Sequence, residues 1–274
     1  MPDNARPPRG LLAGPGAWRA LVRRRPGRVE LVTAGGAYLA LGEDRVLLAS
    51  SGTAFGPLSL VVEGLDRVAL APGLPVAVGT GWLAVGGQVV SLERLRVRAA
   101  IAPPRQAGDV DAAIDTLLDR VPAPSGVLRP GLHALAAGNL PDAVRRLAGL
   151  GRGLTPEGDD VLCGYAAWPH AGRELVRLSA LAAGRASPVG LAYLRCAERG
   201  ELPDPAAPVL GAMLAGDRAA ALALLPALLG WGDSSGAALL RGLVAAARRG
   251  VSFTSVDGRS PSWMEDDAGQ PSGA

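Results

Sequence analysis

Hydrophobic and polar positions along the chain change their period once. Between residues 29 and 101, short apolar runs recur at 29–33, 37–41, 46–49, 58–62, 75–78, 82–85 and 88–90. Turn formers separate them: Gly35-Gly36, Gly42-Glu43-Asp44, Gly56-Pro57, Pro72-Gly73, Gly79-Thr80-Gly81 and Gly86-Gly87. Short strands at such regular spacing predict a small barrel or sandwich. Pro103-Pro104 and Gly108 mark a boundary. Beyond it the period becomes helical: Val110, Ile114, Leu117, Leu118 and Val121 fall on one face of a helix beginning near Asp109. Further helices are expected at 130–138, 141–148, 156–168, 172–184, 188–200, 206–215, 217–229 and 234–249, with Gly, Pro, Asn or Asp at their joints. The expected fold class is α+β. A disordered tail at 1–10 leads into a β-rich, barrel-like or sandwich domain at 11–104. An all-helical domain at 105–250 follows, and then a disordered tail at 251–274.

Composition narrows the function. Apolar residues make up 49% of the 274 residues, enough for a sizeable core, whereas aromatics are only 4%, too few for base-stacking platforms. Net charge is +3, and all 28 cationic side chains are arginine. They are scattered apart from Arg23-Arg24-Arg25 and Arg248-Arg249, so the basic stripe of a nucleic-acid binder is missing. The absence of lysine excludes Schiff-base and pyridoxal phosphate chemistry and a Walker-type phosphate loop. Cys163 and Cys196 lie far apart, and His133 and His170 are the two imidazoles, which argues against a structural zinc site. His133 reads as a core or interface histidine, His170 as a helix C-cap and Cys163 as a small buried hydrophobe. The N-terminus lacks an apolar signal core, and the run 219–231 is short and interrupted by Pro226. These features predict a soluble cytoplasmic protein without membrane or nucleic-acid partners.

The candidate chemistry lies in GLGRGLTPEGDDVLCG, residues 149–164. Thr155 is placed to cap a helix, with Pro156 at its first position. Glu157, Asp159 and Asp160 load the first turns with negative charge, which suits the positive end of the helix dipole. Gly149, Gly151 and Gly153 permit backbone conformations closed to other residues and a close approach to a ligand. Such a helix start invites an anion, yet two carboxylates stand there. Either a cation such as Mg²⁺ bridges ligand and carboxylates, or the carboxylates bind an amide N–H₂ of the ligand. Both options stay open.

The plain alternative is a well-capped helix with two solvated acids. Val161, Leu162, Tyr165 and Trp168 form its apolar face, with Asp159 and Asp160 away from it. However, the rest of their side is Cys163, Gly164 and Ala167, small residues that let another backbone come close. The two aspartates are therefore expected at the mouth of a second interface. GWGDSSG at 230–236 has a similar build, followed by the stripe Ala238, Gly242 and Ala245. Its G-x-S-x-G match is not a hydrolase elbow, because a helix precedes it and no histidine follows Ser234. Asp233, Ser234 or Ser235 is placed to cap the helix.

These segments resemble the AllH-like family, which is associated with the AllH subunit of oxamate carbamoyltransferase. GLGRGLTPEGDDVLCG is similar to that family's Gly-Leu-Thr-Pro-Ser-Gly-Asp-Asp signature. ASPVGLAYLRCAERGEL at 186–202 and GWGDSSGAALLRGL at 230–243 resemble two later helix starts. The resemblance covers about 109–249, with a weaker likeness at Gly56-Pro57-Leu58-Ser59. Glu157 stands where the family has serine, and Ala186-Ser187-Pro188 replaces a more hydroxyl-rich start. The resemblance implies transfer of a carbamoyl group between a small amide acid and phosphate, in purine or allantoin nitrogen catabolism. It also implies partner subunits, one of them succinyl-CoA-synthetase-like.

On this reading the ligand is phosphate, carbamoyl phosphate or an oxamate-like acid. Gly151, Gly153, Leu154, Thr155, Pro156 and Gly158 would shape the pocket. Asp159 and Asp160 would be catalytic, orienting the carbamoyl N–H₂ or holding the metal. Ser234, Ser235 and Gly236 would form the opposite wall. The two helix starts, at Thr155 and near Ser234, should then face one cleft. The competing reading is a non-catalytic ligand-binding or assembly subunit, with the small-residue stripes packing between chains.

Overall fold

The computed structural model describes residues 7–98, 110–118, 120–168 and 177–251. The boundary Pro103-Pro104, Gly108, Asp109, His170 and everything after Val251 lie outside the described residues. The chain divides into two compact units, Met1–Ala102 with Leu191–Ala207, and Pro103–Gly190 with Pro208–Ala274.

The first unit is an eight-stranded barrel. All seven strands expected from the apolar runs are present: β2 (Gly27–Thr33), β3 (Gly36–Leu41), β4 (Asp44–Ala49), β5 (Ser59–Glu63), β6 (Pro75–Gly79), β7 (Trp82–Val85) and β8 (Gln88–Ser91). The eighth is β1 (Arg9–Ala13), so Arg9 and Gly10 belong to a strand and not to a disordered tail. Its reason is closure. The ring runs β5-β4-β3-β2-β6-β7-β8-β1, and β1 pairs antiparallel with β5 through Arg9↔Glu63 and Ala13↔Leu60. Closing the ring leaves no free edge among these eight strands. A two-residue strand, β9 (Arg96–Val97), adds alongside β1. Leu39, Leu41, Leu48, Leu60, Leu83 and Val90 fill the core.

A helix the strand pattern did not announce, α1 (Pro15–Arg23), packs Ala17, Ala20 and Leu21 into this core. Its signals are Pro15 at the first helical turn and an i, i+3, i+4 apolar trio. Arg19 on α1 holds Glu201 bidentately, both N···O distances 2.5 Å, with Cys196 Sγ 3.6 Å from the same guanidinium. That ion pair fixes Leu191–Ala207 into the β unit, although it lies beyond residue 104 in sequence. Burial pushes the Cys196 thiol up to about 12.

The second unit is helical. Its elements are α2 (Val110–Leu118), α3 (Arg129–Ala136), α4 (Leu140–Leu147), α5 (Glu157–Ala167), α6 (Leu178–Leu181), α9 (Arg218–Leu229) and α10 (Ser235–Val251). Two further helices, α7 (Pro188–Ala197) and α8 (Ala206–Ala215), contribute residues to both units. The helix expected at 172–184 is described only as α6. It ends at Leu181, and Gly184 takes a left-handed turn with φ 77°. No helix among the described residues is long and apolar enough to cross a membrane.

The centre of this unit is the α5–α10 crossing. A Cβ on Gly164 would stand 1.9 Å from the Leu239 carbonyl oxygen, and one on Gly242 would stand 2.0 Å from that of Val161. Only glycine permits backbones this close. Ala238 and Ala245 of the second stripe are buried as well. The small-residue stripes therefore serve packing within the chain. Thr155 lies beside Ser235 at the helix starts, and Arg249 Nη1 donates to the Tyr165 hydroxyl at 3.2 Å near the helix ends, so α5 and α10 run parallel.

Candidate functional site

Parallel helices bring two positive dipole ends together, an arrangement that negative charge stabilises. Thr155 Oγ1 and Ser235 Oγ lie 3.3 Å apart, so both helix starts reach one place, as the shared-cleft expectation requires. Glu157, Asp159 and Asp160 sit in the first turn of α5.

The start of α5 differs from the expected cap. Its helical residues begin at Glu157, and Pro156 occupies the cap position with φ −53° and ψ 145°, without a side-chain cap bond. Thr155 is thus free to turn its hydroxyl toward Ser235. Gly149, Gly151 and Gly153 take positive φ of 75°, 119° and 92°, conformations that other residues rarely adopt. The loop folds back on its own helix: the Gly158 N–H donates to Leu150 O at 2.9 Å. Gly158 and Gly236 are both buried, and the Gly236 N–H donates to Trp231 O at 3.0 Å. Neither N–H is left for an anion, so these two glycines shape the site. Gly151, Gly153 and Leu154 are exposed at the loop tip, and Ser234 is half-buried beside Ser235.

The two aspartates are not solvated and do not share a role. They are 1% and 2% exposed. Every residue from Gly158 to Ala167 is buried, so α5 has no solvent face below its first residue. Asp159 is fully committed to the fold. One carboxylate oxygen accepts the Gly149 N–H at 2.7 Å and the other the Ser187 N–H at 2.9 Å. Ser187, which sequence reasoning did not single out, caps α7 by accepting the Gly190 N–H at 2.9 Å and donates to Leu154 O at 2.7 Å. Its signal was present in Ser187-Pro188, a cap residue before a proline. Gly190 makes room for the Asp159 carboxylate, since a Cβ there would lie 2.2 Å from Oδ2.

Asp160 is the chemically unusual group. Burial pushes its carboxyl up to about 7, and the charges of Asp159 and Glu157 add to this. Hydrogen bonds from the hydroxyls of Ser235 and Thr155 work in the opposite direction. One oxygen, Oδ2, is buried without a hydrogen-bond partner. A buried carboxyl left incomplete is costly and calls for an explanation. Among the described residues no group of three or more His, Cys, Asp and Glu is placed to hold a metal ion. Because both Asp159 oxygens already accept N–H groups, the pair expected to bind Mg²⁺ offers one carboxylate, Asp160.

Sequence reasoning also passed over Arg241 on α10. Its Nη2 donates to Pro122 O at 2.6 Å, its Nε is buried without a partner, and the charge of Glu157 acts on it.

Residues 147–247 match the family model for oxamate carbamoyltransferase subunit AllH. The family's name indicates a subunit of oxamate carbamoyltransferase, and hence of a multi-subunit complex. The AllH match spans the glycine loop, α5, Ser187 and α10 up to Ala247, so every side chain of the site lies inside it. No curated protein and no solved structure matches the chain.

Proposed function

We propose that this chain is the carbamoyl-binding subunit of an oxamate-carbamoyltransferase-type enzyme, and that its site is the Thr155–Asp160–Ser235 cluster. The observation that carries the reading is the buried, incomplete carboxyl of Asp160 behind two hydroxyls at paired helix starts.

The chemistry is transfer between nitrogen and oxygen. In an N-carbamoylated amide acid the carbamoyl C–N bond breaks. A phosphate oxygen forms the new C–O bond, and the phosphate proton passes to the departing amide nitrogen. The products are carbamoyl phosphate and the free amide acid. The half-buried hydroxyls of Thr155 and Ser235 contact the carbamoyl group. Asp160 stands behind them, sets which way they donate, and offers Oδ2 to the carbamoyl N–H₂. A carboxyl that titrates near neutrality can also take up and return the proton in transit. The two dipole ends favour the developing negative charge. Asp159, with Ser187, positions the loop, and no covalent nucleophile is required.

Turnover of the chain reconstituted with its partner subunits tests this. Asp160→Asn should lower kcat/KM by at least tenfold and erase the inflection near pH 7. Undiminished turnover with an unchanged pH profile refutes the assignment. Part of the support for the competing assembly-subunit reading was the small-residue stripes, which the α5–α10 crossing takes up within the chain.

A further inference from the structure

The barrel unit carries an open cavity of about 480 Å³ that the carbamoyl reading leaves unused. Its lining comes from β1, β5 and the segment that follows β8, all within the first unit. That volume lies in the range of small-molecule sites. A bulge in β1 builds the floor. Gly10 pairs with Val62 and Leu12 with Val61, so Leu11 is an extra residue in the strand. Side chains of a regular strand alternate, but here both Leu11 and Leu12 line the cavity while Ala13 returns to the core. Leu12 is the cross-strand neighbour of Val61 on β5 and of Arg96 on β9. The rim is cationic. After β8 the chain turns at Leu92–Leu95, where the Leu95 N–H donates to Leu92 O at 3.1 Å. Both leucines pack on the barrel core, and Gly10 makes room for them. A Cβ there would stand 2.7 Å from Leu92 Cδ2 and 3.2 Å from Leu95 Cδ1. Arg94 and Arg96, on either side of the anchored Leu95, line the cavity. Among the described residues neither side chain has an ion-pair or hydrogen-bond partner. Arg9 completes the rim, with its Nε donating to the Glu63 carboxylate. No lining residue is acidic, and Glu63 offsets Arg9 alone. Glu93, in the same turn, reaches toward Gly81 and is not part of the lining.

We infer that this cavity is a second ligand site, for a small phosphate monoester. Its apolar body lies on Leu11, Leu12 and Val61, and Arg94 and Arg96 hold its phosphate, with Arg9 beside them. Planar guanidinium forks match phosphate oxygens bidentately. The two uncompensated arginines also match the charge of about −2 that a phosphate monoester carries near neutral pH. A carboxylate brings one charge and leaves one guanidinium unmatched. Inorganic phosphate leaves the apolar floor uncovered. The cavity shares no residue with the Thr155–Asp160–Ser235 cluster, so this inference stands or falls apart from the carbamoyl reading.

Calorimetry of the full chain with phenyl phosphate, inorganic phosphate and benzoate tests the inference, since these probes carry head and body, head alone, and the same body with a single charge. The wild-type chain should bind phenyl phosphate at least tenfold more tightly than either of the others. The double variant Arg94→Gln with Arg96→Gln should lose at least tenfold of that affinity. Both arginines are exposed, so the fold should persist, which circular dichroism and melting check. Val61→Thr, which makes the floor polar, should weaken phenyl phosphate several-fold and leave inorganic phosphate unchanged. Thr155→Val with Ser235→Ala should leave phenyl phosphate binding as in the wild type. Absence of phenyl phosphate binding by the wild type overturns the inference, as does equal affinity for phenyl phosphate and benzoate. So does undiminished affinity in the folded arginine variant or in Val61→Thr. Binding lost in Thr155→Val with Ser235→Ala but kept in the arginine variant places the phosphate at the carbamoyl cluster and likewise overturns the second site.

Discussion

Asp160→Asn should make the protein more stable, and by an amount that depends on pH. The substitution preserves shape and one carbonyl acceptor for the Thr155 and Ser235 hydroxyls, while removing the titration. In the folded protein the Asp160 carboxyl is pushed from its usual 3.8 to about 7. Between those values the folded state holds a proton that the unfolded chain has released. Stability contributed by this group therefore falls as pH rises through that window, and above about 7 the full cost is present. At about 1.4 kcal/mol per tenfold change, that cost is on the order of 4 kcal/mol, a large fraction of the roughly 5–15 kcal/mol that holds a domain folded. Asp160 is 2% exposed, so solvent screening offsets little of it. Urea denaturation of both proteins at pH 4 and pH 8 measures the effect as a difference, which cancels the other carboxylates. The two should be equal within about 1 kcal/mol at pH 4, with the variant ahead by on the order of 2–4 kcal/mol at pH 8. A gap of the same size at both pH values would refute the claim that the folded protein holds this carboxyl out of its normal range. A residue that costs this much in the fold is expected where function requires it.

The neighbouring aspartate should behave oppositely. Asp159→Asn turns one acceptor into a donor facing either the Gly149 or the Ser187 N–H, so a loss of about 2–4 kcal/mol is expected in the same assay, with faster amide exchange at both positions. A loss below about 0.5 kcal/mol would remove its structural role. Gly242→Ala drives a methyl group into the Val161 carbonyl oxygen and should cost about 2–3 kcal/mol; a neutral effect would mean that α5 and α10 do not cross this closely. Arg19→Ala leaves Glu201, 8% exposed, without its partner. It should cost about 2–3 kcal/mol, less than a fully buried pair because Arg19 is itself one-third exposed. Limited proteolysis should then cut within 191–207 before any other described segment.

Local patterns in the sequence carried much of this architecture. Apolar runs between turn formers located seven strands to within two residues at each end, because strands that line a core must carry apolar side chains. They missed β1, a short RGLLA segment whose place depends on pairing with the distant strands β5 and β8. The Arg19–Glu201 pair, 182 residues apart, leaves no local trace either. Small residues opposite the apolar face of α5 correctly signalled a second packing surface. The acids on that side were expected at its mouth, whereas they lie beneath it. The missing signal was that α5 has no long charged side chain after Asp160, as expected of a helix buried all round. Spacing could not separate Asp159 from Asp160. Their difference depends on which backbone N–H groups the loop and the start of α7 deliver, and those come from residues 149 and 187.

The central claim is that Asp160, Thr155 and Ser235 receive a carbamoyl group. Titration calorimetry of carbamoyl phosphate into the full chain, beside Asp160→Asn and the double variant Thr155→Val with Ser235→Ala, tests it most directly. The account predicts saturable one-to-one binding by the wild type, weakened at least tenfold in both variants. Equal affinity in all three proteins would contradict it.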